Sequence, residues 1–416
     1  MRIISAKGNT AIKVASVALS LFFCLPVFQS LAPIVRIAYV VVFFVIFLVT
    51  SPYSVMLTLC LQSLLIFLFL SATYFVKDSI EISFFQDIFL GFWFWIPFIM
   101  MISLSKIHDL KFHKVLINIV LFSLVISSVT TIIGLIQFPF ASRQLATGRN
   151  DLYPLILYQS MNIGGYGFIY SLVLFLPILF GDFKFNIINR VLKITSIIIF
   201  YICIIFSQYT MAAILSILLP LLVYIYLQKK KLSIIFSFVL VSILIITVVA
   251  FFWDRILEYF TSRNLHFLVN RLDGFYNMFR YKDSYSGFTD RGDRYLISLF
   301  SFIRSPLFGG LINSSYGKTG GHSSILDSLA ILGMFGVLFI YNIYFTVRKF
   351  QFGFQNKGYW NNSIEIMWLG FIILSTINTV LSSFTLSVVV FVVSLSYLKL
   401  VRPLRMDRCN VKNIVG

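Results

Sequence analysis

The long, uninterrupted apolar runs of this chain limit its fold more than any other feature. Each run is about twenty residues long, the length at which a helix crosses a hydrocarbon core of ~30 Å. Only 12% of the residues are charged and 59% are hydrophobic, which leaves too little polar surface for a soluble protein. A β-barrel would show short alternating segments instead. The sequence therefore predicts an all-α, polytopic membrane bundle.

We predict about twelve transmembrane helices, one for each apolar run. Gln208, Tyr209 and Thr210 separate the seventh run from the eighth. The first run reads as an uncleaved span rather than a signal peptide, because a second run follows it almost at once. We interpret residues 1–416 as a single transmembrane domain. The predicted spans are 14–30, 33–50, 54–75, 84–104, 115–138, 161–181, 191–207, 209–227, 232–253, 324–346, 365–381 and 384–400.

The formal net charge of +18 follows the membrane topology and does not indicate nucleic-acid binding. With the N-terminus in the cytoplasm, most of the 33 lysines and arginines fall in cytoplasmic segments, as the positive-inside rule requires. Both termini are then expected to be cytoplasmic, and the protein to be a multi-pass membrane protein. Lys193 is counted among these cytoplasmic residues. Lys229–Lys231 are expected to be a solvated anchor, and the histidines His108 and His113 are expected to be solvated on that side.

Residues 254–323 form one large outer loop between the ninth and tenth spans, and such a loop usually carries function. Within it, Arg294, Ser298, Ser301 and Ser305 recur at helical spacing among apolar residues. This pattern predicts a helix over residues 294–305 that lies in the membrane interface, with its apolar side in lipid and its polar side in water. Pro306 ends it.

Arginines of the outer segments are candidate ligands for phosphate, because a guanidinium binds it in a bidentate manner. Amide and tyrosine side chains near them would suit sugars. The alternative is that these arginines contact lipid headgroups or nearby carboxylates. Arg36, near the outer end of the second span, is explained equally well by snorkelling to the interface or by substrate binding. The candidates are Arg36, Arg143, Arg149, Arg291 and Arg294.

His322 is the sharpest catalytic candidate. It follows the glycine-rich stretch FGGLINSSYGKTGGH and immediately precedes the tenth span. An imidazole there can take a proton from a sugar hydroxyl near neutral pH, although a polar residue before a helix is the plain alternative. We interpret Ser324 and Asp327 as a capping pair rather than as catalytic residues. The four cysteines stand apart from one another and from histidines, so we expect no metal site, disulfide framework or cofactor.

Three stretches carry a family resemblance: Arg294, SPLFGG (305–310) and GGHSSILDSLAILGMFG (320–336). They resemble the family of bacterial Wzy-type O-antigen polymerases and O-antigen ligases, which keeps an arginine, a PxFGxG-like turn and then a histidine at the end of the large outer loop. The chain departs from the family's pattern in having Ser323 where asparagine is common and Ile331 where an acidic residue is common. It also has no arginine around Gln208.

The resemblance implies a GT-C-like glycosyltransferase of the bacterial cytoplasmic (inner) membrane, which acts without a metal at the outer face on glycans linked to undecaprenyl diphosphate. His322 would orient or deprotonate the acceptor hydroxyl, and Arg149, Arg291 and Arg294 would hold the diphosphate. We favour a polymerase of O-antigen, capsular or exopolysaccharide repeat units, with membrane lipids and a chain-length regulator protein as further partners. The alternatives are an O-antigen ligase that transfers glycan to lipid A–core and, in a different class, a flippase for lipid-linked oligosaccharide.

Overall fold

The computed structural model describes residues 6–51, 53–77, 83–147, 152–227, 255, 258, 261–262, 286–312, 317–352, 362–381 and 383–402. Within these ranges the regular elements are helices and none is a strand, which confirms the all-α class. The helices up to residue 227 are α1 (Ala6–Cys24), α2 (Pro33–Thr50), α3 (Tyr53–Lys77), α4 (Ser83–Leu104), α5 (Leu110–Gln137), α6 (Ala141–Thr147), α7 (Leu152–Ser160), α8 (Tyr166–Asp182), α9 (Arg190–Phe206) and α10 (Thr210–Leu227). Beyond it lie α11 (Ser286–Arg304), α12 (Ser324–Leu332), α13 (Met334–Val347), α14 (Asn362–Ile377) and α15 (Phe384–Arg402).

Four helical segments in the described part of the chain are long and apolar enough to cross a membrane. They are Val55–Val76, Leu110–Gln137, Thr210–Leu227 and Phe384–Arg402, and five shorter apolar helices accompany them. These helices are compatible with a helical membrane protein. The predicted ninth span, 232–253, lies outside the described residues, and so do parts of the large loop, chiefly 263–285 and 313–316.

Helices α8 and α15 form the centre of the bundle. Nearly every residue of α8 is buried, and it contacts α9, α10, α14 and α15. Phe175 of α8 and Phe391 of α15 are among the largest fully buried side chains. By contrast, α2 and α3 expose large apolar side chains such as Val42 and Leu57, which suits contact with lipid. The apolar surface of the peripheral helices thus faces outward, as expected in a bilayer.

The predicted tenth span, 324–346, is two helices rather than one. Gly333 separates α12 from α13 with φ at 55°, a left-handed conformation that favours glycine. A Cβ at this position would lie 2.7 Å from the backbone nitrogen of Gly309, so the turn after α11 packs directly against the break. Hydrophobicity continues across the break, which is why the sequence pattern did not reveal it.

A fully buried ion pair fixes the turn between α8 and α9. Lys193 Nζ lies 2.8 Å from Asp182 Oδ2, and both side chains have 0% exposure. The carboxylate also accepts hydrogen bonds from the backbone N–H groups of Ile187 and Ile188, each 3.0 Å away, while Lys193 donates to the Asp182 carbonyl. Lys193, counted in the sequence as a topology signal, is thus also a buried structural residue.

His113 is likewise buried, with 0% exposure, and not solvated as expected. Helix α5 begins at Leu110, earlier than the predicted residue 115, so His113 lies within the bundle. One ring nitrogen lies 3.0 Å from Ser396 Oγ and the other 3.0 Å from the Ile107 carbonyl. Just before the helix, Asp109 pairs with Lys13 of α1 at 2.5 Å, and this hydrogen bond holds the pKa of Asp109 below its ordinary value. His108 is exposed, as expected.

The helix predicted over residues 294–305 is confirmed within α11, which ends at Arg304, two residues before Pro306. Its polar stripe, however, faces protein rather than water. Ser298 is 1% exposed and Ser301 is 7% exposed, whereas Phe300 and Ile303 on the opposite side are 57% and 60% exposed. The serines are buried because α11 packs against α12 through this stripe.

Candidate functional site

Two of the residues singled out from the sequence meet directly. Arg294 Nη1 lies 2.8 Å from His322 Nε2, and both residues are half-buried. A guanidinium carries only donors, so His322 Nε2 must be the acceptor in this hydrogen bond. The imidazole proton is then on Nδ1, and the ring is the neutral tautomer. The geometry thus combines a fixed positive charge with a neutral base.

A chain of hydrogen bonds holds the glycine-rich segment against α11. The backbone N–H of Gly320 donates to Ser298 Oγ at 2.9 Å. The Ser298 hydroxyl donates to Asp327 Oδ1 at 2.6 Å. The other oxygen of that carboxylate accepts the backbone N–H of Ser323 at 3.3 Å. His322 lies between Gly320 and Ser323, which both take part in these hydrogen bonds. Its position relative to Arg294 is therefore set by contacts from both α11 and α12.

The cap of α12 is one residue earlier than predicted. Ser323, not Ser324, is the N-cap, and its hydroxyl oxygen accepts the backbone N–H of Leu326 at 3.0 Å. Ser324 Oγ instead accepts the backbone N–H groups of Val380 and Leu381. Asp327 has the structural role expected of it, although it joins Ser323 and α11 rather than Ser324. Serine at position 323 supplies the same capping chemistry as the asparagine common in the resembled family.

Gly320 allows the closest approach at the site. A Cβ at this position would lie 2.1 Å from the carbonyl oxygen of Arg294, far inside van der Waals contact. Only a residue without a side chain can bring the loop this close to α11. The glycine two residues before His322 is therefore a geometric condition for the contact between Arg294 and His322.

The end of α14 forms a third wall beside the pair. Tyr295, the neighbour of Arg294, donates its hydroxyl to the Ile377 carbonyl at 2.6 Å. Ser324 donates its backbone N–H to the Asn378 carbonyl at 3.2 Å. Sequence reasoning missed this contribution, since residues that meet only through tertiary packing leave no local pattern. The polar stripe of α11 was the one signal that pointed to Ser298.

Two of the other predicted arginines, Arg36 and Arg143, lie on helices other than α11. Arg143 lies in α6, with its guanidinium carbon 5.7 Å from the centre of the Tyr209 ring. Arg36 lies in the first turn of α2 and is half-buried. Arg291 lies one turn before Arg294 in α11. Arg149 is outside the described residues.

The chemistry open to this site follows from its groups. The Arg294 guanidinium can bind an anionic oxygen of a substrate with charge-assisted hydrogen bonds. The neutral imidazole can accept a proton once its Nε2 lone pair is available. A positive charge beside a base suits a reaction in which a proton leaves one reactant and negative charge develops on another.

The chain was compared with protein-family models, curated proteins and solved structures. No family model matches the chain, and neither a curated protein nor a solved structure is significantly similar to it.

Proposed function

We propose that the chain is a membrane-embedded glycosyltransferase that joins oligosaccharide repeat units linked to undecaprenyl diphosphate, at the outer face of the cytoplasmic membrane. The observation that carries the proposal is the 2.8 Å contact between Arg294 and His322. In this contact a guanidinium, which can bind phosphate, lies beside an imidazole, which can accept a proton. Transfer from a glycosyl diphosphate to a hydroxyl needs both. The arginine–histidine resemblance in the sequence supports the same reading.

In the proposed reaction, the acceptor is a hydroxyl of the next lipid-linked repeat unit. Its oxygen forms a bond to the anomeric carbon of the donor sugar, and the bond from that carbon to the diphosphate oxygen breaks. His322 takes the hydroxyl proton. Undecaprenyl diphosphate leaves with the bonding electron pair, and Arg294 stabilises the negative charge that develops on it.

Donor binding would also prepare the base. His322 accepts a hydrogen bond from Arg294 at the nitrogen that must take the proton. A diphosphate attracts a guanidinium more strongly than a neutral imidazole does, because both partners of the new hydrogen bonds are charged. Arg294 would then turn to the diphosphate and release His322 Nε2. The base becomes available only when a donor is present.

The proposal includes twelve spans, cytoplasmic termini and an external position for residues 254–323. We expect reporter fusions at Lys106, Lys230 and Lys357 to give cytoplasmic signals. Fusions at Lys77, Arg149 and Lys282 should give external ones. The reason is the alternation of lysine-rich and lysine-poor connections along the chain. Paired alkaline phosphatase and green fluorescent protein fusions measure this. A cytoplasmic signal at Lys282 would contradict both the topology and the function.

Deleting the gene tests the class of reaction. Surface polysaccharide from the deletion strain, separated on a gel, should show lipid A–core carrying a single repeat unit where the parent strain shows a ladder. Core without any repeat unit would instead indicate a ligase or a flippase. A ladder of unchanged length would exclude a function in assembling this polysaccharide.

Gly320→Ala should disable the site without touching either reactive side chain. The added Cβ would collide with the Arg294 carbonyl and push His322 away, and a displacement of about 1 Å can lower a rate by about 10²-fold. Gly292→Ala is the matched control. Gly292 lies in α11, the helix of Arg294, and nothing lies within 4 Å of its new Cβ. Ladder length in complemented deletion strains is the measurement. Equal ladders in the two variants would refute the geometric role of Gly320.

A further inference from the structure

Two polar side chains at the end of α14 are buried, and the backbone carbonyls of the same two residues contact the segment that follows His322. Ser375 is 2% exposed and Asn378 is 9% exposed. The Ser323 hydroxyl, one residue after His322, lies 3.5 Å from the Ser375 carbonyl. The Asn378 carbonyl accepts the backbone N–H of Ser324 at 3.2 Å. Both residues therefore border the segment that carries His322.

Neither side chain is satisfied in the described part of the chain. The Ser375 hydroxyl and the Asn378 amide nitrogen are buried and have no hydrogen-bond partner there. Burying a donor without a partner costs free energy comparable to a lost hydrogen bond, so most buried polar groups in native proteins are paired. Two unpaired groups within four residues of each other, next to a candidate active site, indicate that a ligand supplies the partner.

The backbone around these groups is held firmly. The Asn378 N–H donates to the Leu374 carbonyl at 2.8 Å, and the Asn378 carbonyl also accepts the N–H of Val380. Tyr295 fixes the neighbouring Ile377 carbonyl. Such fixed backbone presents the two side chains in a preorganised arrangement, which lowers the entropy that binding must overcome.

We infer that Ser375 and Asn378 form a subsite that binds hydroxyl groups of the acceptor sugar beside His322. The inference rests on the proposed function and specifies it further. A hydroxyl both donates and accepts, and it therefore matches a serine hydroxyl and a carboxamide. Neither residue carries charge, so a phosphate would prefer Arg294. The subsite would hold the acceptor hydroxyl where His322 can take its proton.

Ser375→Ala and Asn378→Leu separate binding from folding. Each removes an unpaired buried group, so the melting temperature of the purified protein in detergent should stay level or rise. The apparent KM for lipid-linked repeat units should rise about three- to tenfold for each variant, the worth of one neutral hydrogen bond. Ser328→Ala is the matched control, because this buried serine already donates to the Ser324 carbonyl at 2.6 Å. It should leave KM unchanged.

A binding measurement distinguishes failure of the subsite from failure of the proposed function. Repeat-unit oligosaccharide released from its lipid should raise the melting temperature of the wild type and of Ser328→Ala, and raise it less in the two subsite variants. Equal stabilisation of all four proteins, together with an unchanged KM, would overturn the subsite while the glycosyltransferase stands. If the wild type joins no repeat units but the oligosaccharide still stabilises it through Asn378, the proposed reaction fails and the sugar site remains. No stabilisation of the wild type would overturn the subsite.

Discussion

A strain whose only copy of the gene encodes His322→Ala should make lipid A–core with one repeat unit and no ladder. The reason is the loss of the imidazole that we propose takes the acceptor proton next to Arg294. Removing a general base typically lowers a rate by about 10²–10⁴-fold. A loss of that size leaves chains too short to form a ladder on a gel. The variant protein must reach the membrane in normal amounts, which immunoblotting of membrane fractions measures.

His108→Ala is the matched control for this experiment, since His108 is exposed and lies in a connection between helices far from His322 in the chain. It should give a normal ladder. Wild-type ladders from a normally expressed His322→Ala would refute the catalytic assignment.

Two substitutions of Arg294 separate the effect of its charge from the effect of its bidentate geometry. Arg294→Lys keeps the positive charge but loses the bidentate fork, so we expect shortened chains. Arg294→Ala should be worse than Arg294→Lys, because the developing negative charge on the leaving diphosphate then lacks its partner. Chain-length distributions on the same gels measure both. Equal ladders from the lysine and alanine variants would contradict a role in phosphate binding.

Breaking the buried ion pair should give the largest loss of stability. Asp182→Asn leaves the ammonium group of Lys193 without its counter-charge in a fully buried position. Removing one partner of such a pair typically costs about 3–5 kcal/mol. We expect a clearly lower melting temperature in detergent and poor yield of folded protein. The double variant Asp182→Asn/Lys193→Met removes the orphaned charge and should recover most of the loss.

A more exposed ion pair, between Lys13 and Asp109, provides an internal comparison. Lys13 and Asp109 are only partly buried, with side-chain exposures of 26% and 38%. Exposed pairs contribute about 0–1 kcal/mol, so Lys13→Met should change the melting temperature little. If Lys13→Met and Asp182→Asn destabilised the protein equally, burial would not be what makes the Asp182–Lys193 pair important.

Much of the helical framework could be predicted because length and hydrophobicity are local properties. The bounds predicted for the second, third and fourth spans lie within two residues of α2, α3 and α4. The break at Gly333 escaped prediction because apolar residues continue on both sides of it. The burial of Lys193 and His113 could not be predicted for another reason. Counting charges along a sequence treats each one as solvated, whereas a partner across a turn or on a distant helix can bury it.

The candidate site could be predicted in part. The glycine-rich segment before His322 and the helix over residues 294–305 could each be predicted from the sequence. The structure brings Arg294 and His322 into contact. The residues of α14 had no such signal, since Ser375 and Asn378 meet the site only through packing. The sequence also could not decide which serine caps α12, because Ser323 and Ser324 have the same capping chemistry. Contacts from Val380 and Leu381 to Ser324 decide it.

Reconstitution tests the central claim most directly. Purified protein in lipid nanodiscs would be incubated with lipid-linked repeat units, and the products separated by size, with free undecaprenyl diphosphate measured in the same samples. The wild type should give a ladder and release one undecaprenyl diphosphate per bond formed, while His322→Ala should leave single units. Folded wild-type protein that leaves the repeat units unjoined and releases no undecaprenyl diphosphate would contradict the proposed glycosyltransferase.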